Sequence, residues 1–239
     1  MRLLWRALRH WVFPDLCLAC GERLRAEEVR ICRLCLATWP RADLERVGLP
    51  GPWRARALDW VTAVWVYDAQ DRVQRAVYAL KYRGFSRLAW ELGPILAEQV
   101  RERAQEVGLR ALVPVPLHRR RLRERGYNQS ERLAEAVGAV LGLPVWNALE
   151  RLRPTRSQTG LGPSERLQNV QGAFRVRNGE DLRGLRLLLV DDVLTTGATL
   201  AACAQALRMA GADWVGGLAL ATVPSNVARS LSPEAHRTK

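Results

Sequence analysis

The run Leu187 to Thr199, LLLVDDVLTTGAT, constrains the fold more than any other stretch of the chain. Leu185 to Val190 is almost unbroken apolar sequence, the pattern of a parallel strand covered on both faces. The strand is expected to end in Asp191-Asp192, after which the loop Thr195-Thr196-Gly197-Ala198-Thr199 opens a helix. Such a loop turns backbone amides, hydroxyls and the positive end of a helix toward one anion, which is how a phosphate is held. Gly197 lets the backbone come close to it. Asp191 and Asp192 stand too near that phosphate to be its ligands. They suit the hydroxyls of an attached sugar, or a metal bound to it. The strand ends of a parallel sheet are also where ligands bind.

The remaining chain supplies the sheet that such a strand needs. Trp60 to Tyr67 reads as a strand, and Val73, Val77 and Leu80 mark a short helix before the turn Tyr82-Arg83-Gly84. Ser86 is the expected cap of a longer helix with Leu88, Leu92, Ile95, Leu96 and Val100 on one face. Ala111 to Val115 is a short strand stopped by Pro114 and Pro116, and Ser130 to Leu141 is helical by period. Leu143 to Leu149 reads as a strand, Thr199 to Met209 as a helix and Trp214 to Val223 as a strand. This alternation is the mark of the α/β class, a parallel sheet flanked by helices. Breakers between Pro40 and Pro52 mark a linker. The division expected is 1–50, then 51–224 with a leading strand and helices over 51–109 and a core over 110–224. A loose polar tail follows over 225–239.

Four of the five cysteines fall in Cys17-Leu-Ala-Cys20 and Cys32-Arg-Leu-Cys35. Each pair presents two thiolates on a tight knuckle, and two knuckles complete a tetrahedral S₄ site for zinc. Gly21 suits the positive φ such a knuckle needs. Disulfides are the alternative, but nothing in the chain points to export, and the cytosol keeps thiols reduced. Four ligands with no open position make a structural site. Cys203, in an alanine-rich stretch, reads as a small buried hydrophobe.

Charge narrows the partners less sharply. The net charge is +13, and the 37 Lys and Arg residues include only two lysines, Lys81 and Lys239. Arginine-rich codon usage and a surface drawn to phosphates both account for that. A composition of 48% hydrophobic and 26% charged residues excludes a disordered chain. No apolar run reaches the roughly 18 residues of a membrane span. Leu3, Leu4, Ala7, Leu8, Trp11 and Val12 recur at helical spacing, but Arg6, Arg9 and His10 interrupt them, so no secretory signal is expected. That stripe packs on its own domain or lies on a membrane surface. A cytoplasmic location follows, with a peripheral position at the inner face of the membrane left open.

The segment 187–199 resembles the phosphoribosyl diphosphate (PRPP) motif of type I phosphoribosyltransferases: a hydrophobic strand, two acids, then TTGxT. The resemblance implies that fold, with Asp191 and Asp192 as catalytic residues facing the ribose 2′- and 3′-hydroxyls. It implies that Thr195, Thr196, Gly197, Ala198 and Thr199 hold the 5′-phosphate and that magnesium travels with the diphosphate. Val113-Pro114-Val115-Pro116 would supply the diphosphate loop, with Val115 and Arg119 among the PRPP contacts. Purine-salvage relatives carry an aspartate at the position of Thr195 to take a proton from the base. Threonine is a poor general base, so hypoxanthine–guanine salvage is not expected; orotate-type enzymes also carry threonine there. Arg119, Arg120, Arg121, Arg123 and Arg125 either stabilise the leaving diphosphate or form a solvated basic helix or turn.

A narrower resemblance covers almost the whole chain. Phe13-Pro14 ahead of the cysteines, Lys81-Tyr82-Arg83-Gly84, Pro114-Val115-Pro116-Leu117 and Arg125-Gly126-Tyr127-Asn128-Gln129-Ser130 are similar to the ComF family of competence-associated proteins. So is the spaced set Thr155, Gln158, Leu161, Arg166, Asn169 and Phe174. This resemblance implies a zinc ribbon ahead of the phosphoribosyltransferase-like domain. It also implies a link to natural transformation, with single-stranded DNA and a helicase-like protein as partners. Two function classes stay open. One is a PRPP-dependent transferase whose acceptor sits between the sheet and a hood formed by the preceding segment. The other is an adaptor whose PRPP pocket is a sensor or relic and whose arginines, with interleaved Trp and Tyr, grip single strands. A regulator of nucleotide synthesis that uses the fold to bind DNA is a third reading.

Overall fold

The computed structural model describes residues 15–44, 57–67, 71–82, 85–154, 170, 172–177 and 181–223. The Met1–Phe13 stripe, most of the linker, Arg83-Gly84, Thr155, Gln158, Leu161, Arg166, Asn169 and the tail lie outside the described residues. Helix α1 (Arg33–Thr38) belongs to the cysteine-rich segment. Strand β1 (Trp60–Val66), helices α2 (Arg72–Tyr82) and α3 (Leu88–Glu106) and strand β2 (Ala111–Pro114) follow. Then come α4 (Arg119–Arg125), α5 (Gln129–Leu141), β3 (Leu149–Arg151), β4 (Phe174–Val176), β5 (Arg186–Leu194), α6 (Ala198–Met209) and β6 (Trp214–Thr222).

Four strands form one parallel sheet in the order β1-β6-β5-β2. Along β5 the two-residue period divides the side chains between two cores. Leu188 and Val190 join the core under α2, α3 and α5, while Leu187 and Leu189 join the core under α6. Both faces are apolar because both are covered, so β5 shows no polar alternation. Both sheet edges are partly covered as well. Residues 40–42 run antiparallel beside β1, with Ala42 N donating to Val64 O and Val66 N to Pro40 O. At the other edge Val145 forms a parallel bridge to Leu112.

The structure departs from the sequence expectations at three places. Leu143 to Leu149 is not one strand: Pro144 lies in the run, Val145 makes a single bridge, and β3 begins only at Leu149. β3 pairs antiparallel with β4 in a separate two-stranded sheet built from mid-chain residues, whereas β1, from the segment before, joins the main sheet. Ser86 does not cap α3. The cap is Arg87, with no side-chain hydrogen bond, and the first turn is closed by Ala89 N donating to Ser86 O. Finally, β5 does not stop at the acids but runs on to Leu194, because Val193 and Leu194 still pair with β6.

Candidate functional site

The C-terminal end of β5 extends beyond its neighbour β2. Strand β2 pairs with β5 only as far as Pro114 opposite Val190, and the chain then leaves through Val115-Pro116. From β2 the chain crosses by α5 to the outer edge at Val145, on the α3 side of the sheet. From β5 it crosses by α6 to β6, on the other side. The gap between β2 and β5 is therefore the point where the winding reverses, the place where open α/β sheets bind ligands.

Asp191 and Asp192 lie in that gap, and both are buried. Asp191 Oδ1 accepts from the Ser130 hydroxyl at 3.1 Å and from the Asp192 amide at 2.9 Å. Asp192 Oδ2 lies 2.9 Å from the Lys81 ammonium. Burial, and then the neighbouring Asp192 charge, push the Asp191 carboxyl up to about 7. Tyr67, just past β1, is held above the usual phenol range by burial and by the Asp192 charge. The motifs around Lys81 and around Arg125 to Ser130, far apart in sequence, thus meet at the acid pair. Tyr127 donates its hydroxyl to Leu80 O, and the Arg125 guanidinium stacks 4.9 Å from the Tyr82 ring centroid.

Gly197 caps α6 in the left-handed region at φ +77°, with no side-chain cap bond. Thr196 is buried, and its hydroxyl oxygen accepts from Ala198 N at 3.4 Å. Val115 is buried at the end of β2, where its carbonyl accepts from Asn128 Nδ2 at 3.0 Å. Asn128 also caps α5, taking Ser130 N on Oδ1 at 3.1 Å, so one side chain ties the β2 exit to the helix carrying Ser130. Arg119 is exposed at the start of α4, close enough to Glu150 of β3 to help lower that carboxyl after Arg175, its main partner. The arginine run does form a short helix, capped by His118 and by the left-handed Gly126. Arg120 pairs with Glu124 on its surface.

In the sequence Lys81 and Ser130 stand within motifs that carry no sign of a role at the acids. Their partners are 111 and 61 residues away, a range no local pattern reaches. One signal was available: Lys81 is a lysine in a chain that otherwise uses arginine up to its last residue. Cys203, on α6, is fully buried, as its composition implied.

The four N-terminal cysteines gather at a second centre, their sulfurs all within 4.8 Å of one another. Cys17 Sγ and Cys35 Sγ are 3.9 Å apart, and Cys20 Sγ and Cys32 Sγ 3.8 Å. A zinc ion about 2.3 Å from four tetrahedral sulfurs spaces them roughly 3.8 Å apart, so the cluster has the donor set and size for such a metal. The knuckle geometry agrees with this. Gly21 adopts φ +81°, Cys32 N donates to Cys17 Sγ at 3.3 Å, and Cys35 N to Cys32 Sγ at 3.4 Å. Burial raises the Cys17 thiol, but amides from Cys20, Cys32 and Ala19 outweigh it and leave the thiol below its ordinary value.

Residues 128–235 match the phosphoribosyl transferase domain family. Over 217 residues, 87% of this chain and 89% of the relative, the chain is 33% identical to the DNA utilization protein YhgH of Salmonella typhimurium. It is 29% identical over 212 residues, 87% of this chain and 84% of the relative, to Competence protein ComFC of Bacillus subtilis. The chain belongs to the ComF family. Competence protein F of Haemophilus influenzae is 37% identical over 105 residues, covering 43% of this chain and 46% of that one. In this ComF-family chain Ser130 and both aspartates fall inside the matched transferase span, and Lys81 falls outside it. Among the described residues no helix is long and apolar enough to cross a membrane.

Proposed function

We propose that this ComF-family chain binds PRPP with magnesium in the gap between β2 and β5, in support of DNA uptake during natural transformation. The observation that carries this is the buried acid pair followed by the Gly197 loop, at the point where the sheet winding reverses. Thr195 to Thr199 serve the 5′-phosphate, with the amides of the α6 N-terminus turned toward it. Asp191 and Asp192 take the ribose hydroxyls, which a carboxylate accepts as hydrogen bonds. Val115 and Arg119, at the β2 exit, serve the diphosphate. Magnesium, arriving with that diphosphate, would neutralise charge on the leaving group. Zinc in the four cysteines has a structural role.

The exposed face of α4 supports a contact with single-stranded DNA. It carries Arg119 and Arg123 in solvent, with Tyr78 and Tyr82 exposed beside Arg125. Cations with adjacent aromatic faces suit a strand without sequence preference.

Calorimetry with magnesium and PRPP tests the pocket. Binding is expected for the native chain and lost in Gly197→Val, where a branched side chain would occupy the phosphate position in a conformation only glycine adopts readily. It is also expected to vanish in the Asp191→Asn, Asp192→Asn double variant. Undiminished affinity in either variant places the ligand elsewhere.

A further inference from the structure

We infer that Lys81 is the resident cation of the acid pair: it keeps a free divalent ion out of the gap and makes metal entry depend on the phosphorylated ligand. The inference rests on the PRPP reading only for the identity of that ligand.

Two buried carboxylates close enough for the charge of one to raise the other attract a divalent cation. Here two of their four oxygens are already engaged. Asp191 Oδ1 holds the Ser130 hydroxyl and the Asp192 amide, and Asp192 Oδ2 faces the Lys81 ammonium at 2.9 Å. The ammonium is itself largely enclosed, its side chain 23% exposed against 7% for Asp192. A charge pair this sheltered from water is little screened, and an ion arriving alone meets a positive charge beside its ligands. A polyphosphate changes that balance, because its negative charges supply the metal with other oxygens and offset the ammonium. The residue type fits the task. An ammonium is a compact point charge on a flexible stem, able to sit beside one oxygen and yield it, whereas a guanidinium fork holds a carboxylate by two bonds. This chain uses lysine at only two positions among 37 Lys and Arg residues, and the internal one stands here. Its position is also fixed. Tyr127 bonds the carbonyl of Leu80, the residue before it, and Arg75 of the same helix donates to Ala19 O at 3.3 Å.

The test follows manganese by electron paramagnetic resonance on zinc-loaded full chain, with PRPP absent and then present. The native protein is expected to leave manganese free without PRPP, and Lys81→Met to bind one equivalent without it. Adding Asp192→Asn to Lys81→Met should abolish that site. Gain of a metal site is not something a merely structural lesion produces. Thermal melting gives a second reading: Lys81→Met leaves a buried carboxylate unpaired and should melt lower, with manganese restoring part of the loss. Manganese bound by the native protein without PRPP and lost in Asp192→Asn would overturn the inference, as would a Lys81→Met protein that takes none. Calorimetry separates the two readings. If PRPP fails to bind while manganese behaves as stated, the ligand assignment falls and the role of Lys81 stands.

Discussion

Asp191 and Asp192 are neighbours in the chain with opposite circumstances. Asp192 has a cation 2.9 Å away, whereas Asp191 has a hydroxyl, an amide and the charge of Asp192. Burial and that charge push Asp191 up to about 7, so the folded protein holds its proton to a higher pH than the unfolded chain does. The stability this proton contributes is present below the unfolded value and lost as pH rises through the folded one. Ligand-free native protein should therefore lose stability relative to Asp191→Asn between about pH 4 and about pH 7, the unfolded and folded ends of the titration. Melting curves taken in steps across that window test this; parallel curves for the two proteins would contradict it. At this scale the acids and the Gly197 loop were legible because they are consecutive, and a strand, two carboxylates and a glycine-capped helix carry their chemistry in order. Lys81 and Ser130 were not, because what each does is defined by a partner that only the tertiary fold delivers.

Elements were legible wherever one period ran uninterrupted. The continuous apolar run of β5, and the apolar face of α3 from Leu88 to Val100, needed no tertiary information. The region from Leu143 to Leu149 was misread because its apolar composition hides a proline and a change of sheet. Close helix packing was equally invisible, and it yields a prediction. Gly93 of α3 faces α5 so closely that a Cβ would stand 2.5 Å from Ala136 Cβ and 3.0 Å from its carbonyl carbon. Neither is the end of a flexible side chain, so the helices must move apart. Gly93→Ala gains about 1 kcal/mol of helix propensity, yet overpacking costs typically 1–3 kcal/mol and here meets backbone. A net loss of stability in denaturant titration is expected, with α5 and its Ser130 shifted away from Asp191. A variant more stable than the native chain would show that this contact is looser than its geometry.

On the scale of the whole molecule the cysteine centre and the sheet share one core. Cys17, Ala19, Ile31, Cys35 and Trp39 pack in the same cluster as Trp65, Leu80, Leu88 and Leu92, and Trp39 meets Trp65 edge to face at 5.1 Å. Polar ties reinforce the contact. Glu91 Oε1 of α3 accepts Ile31 N at 3.0 Å, and burial raises that carboxyl above its usual range despite the amides it accepts. Arg75 of α2 reaches Ala19 O, inside the first knuckle, from the helix that also carries Lys81. Paired CxxC spacing made the cluster itself legible, but not its docking, since the residues that receive it lie in helices some sixty positions later in the chain. A segment this short has little core of its own, so its order depends on the metal. Because its apolar face completes the main core, stripping the metal should be felt by the entire chain. Chelation, or Cys32→Ala, is expected to lower the single calorimetric transition by on the order of 10 °C, since each kcal/mol moves Tm by about 2–4 °C in a chain of this size. PRPP affinity should fall with it, as α2 loses its hold on the knuckle and Lys81 its fixed place. Two separate transitions, with the larger one unmoved by chelation, would show instead that the ribbon and the sheet melt independently.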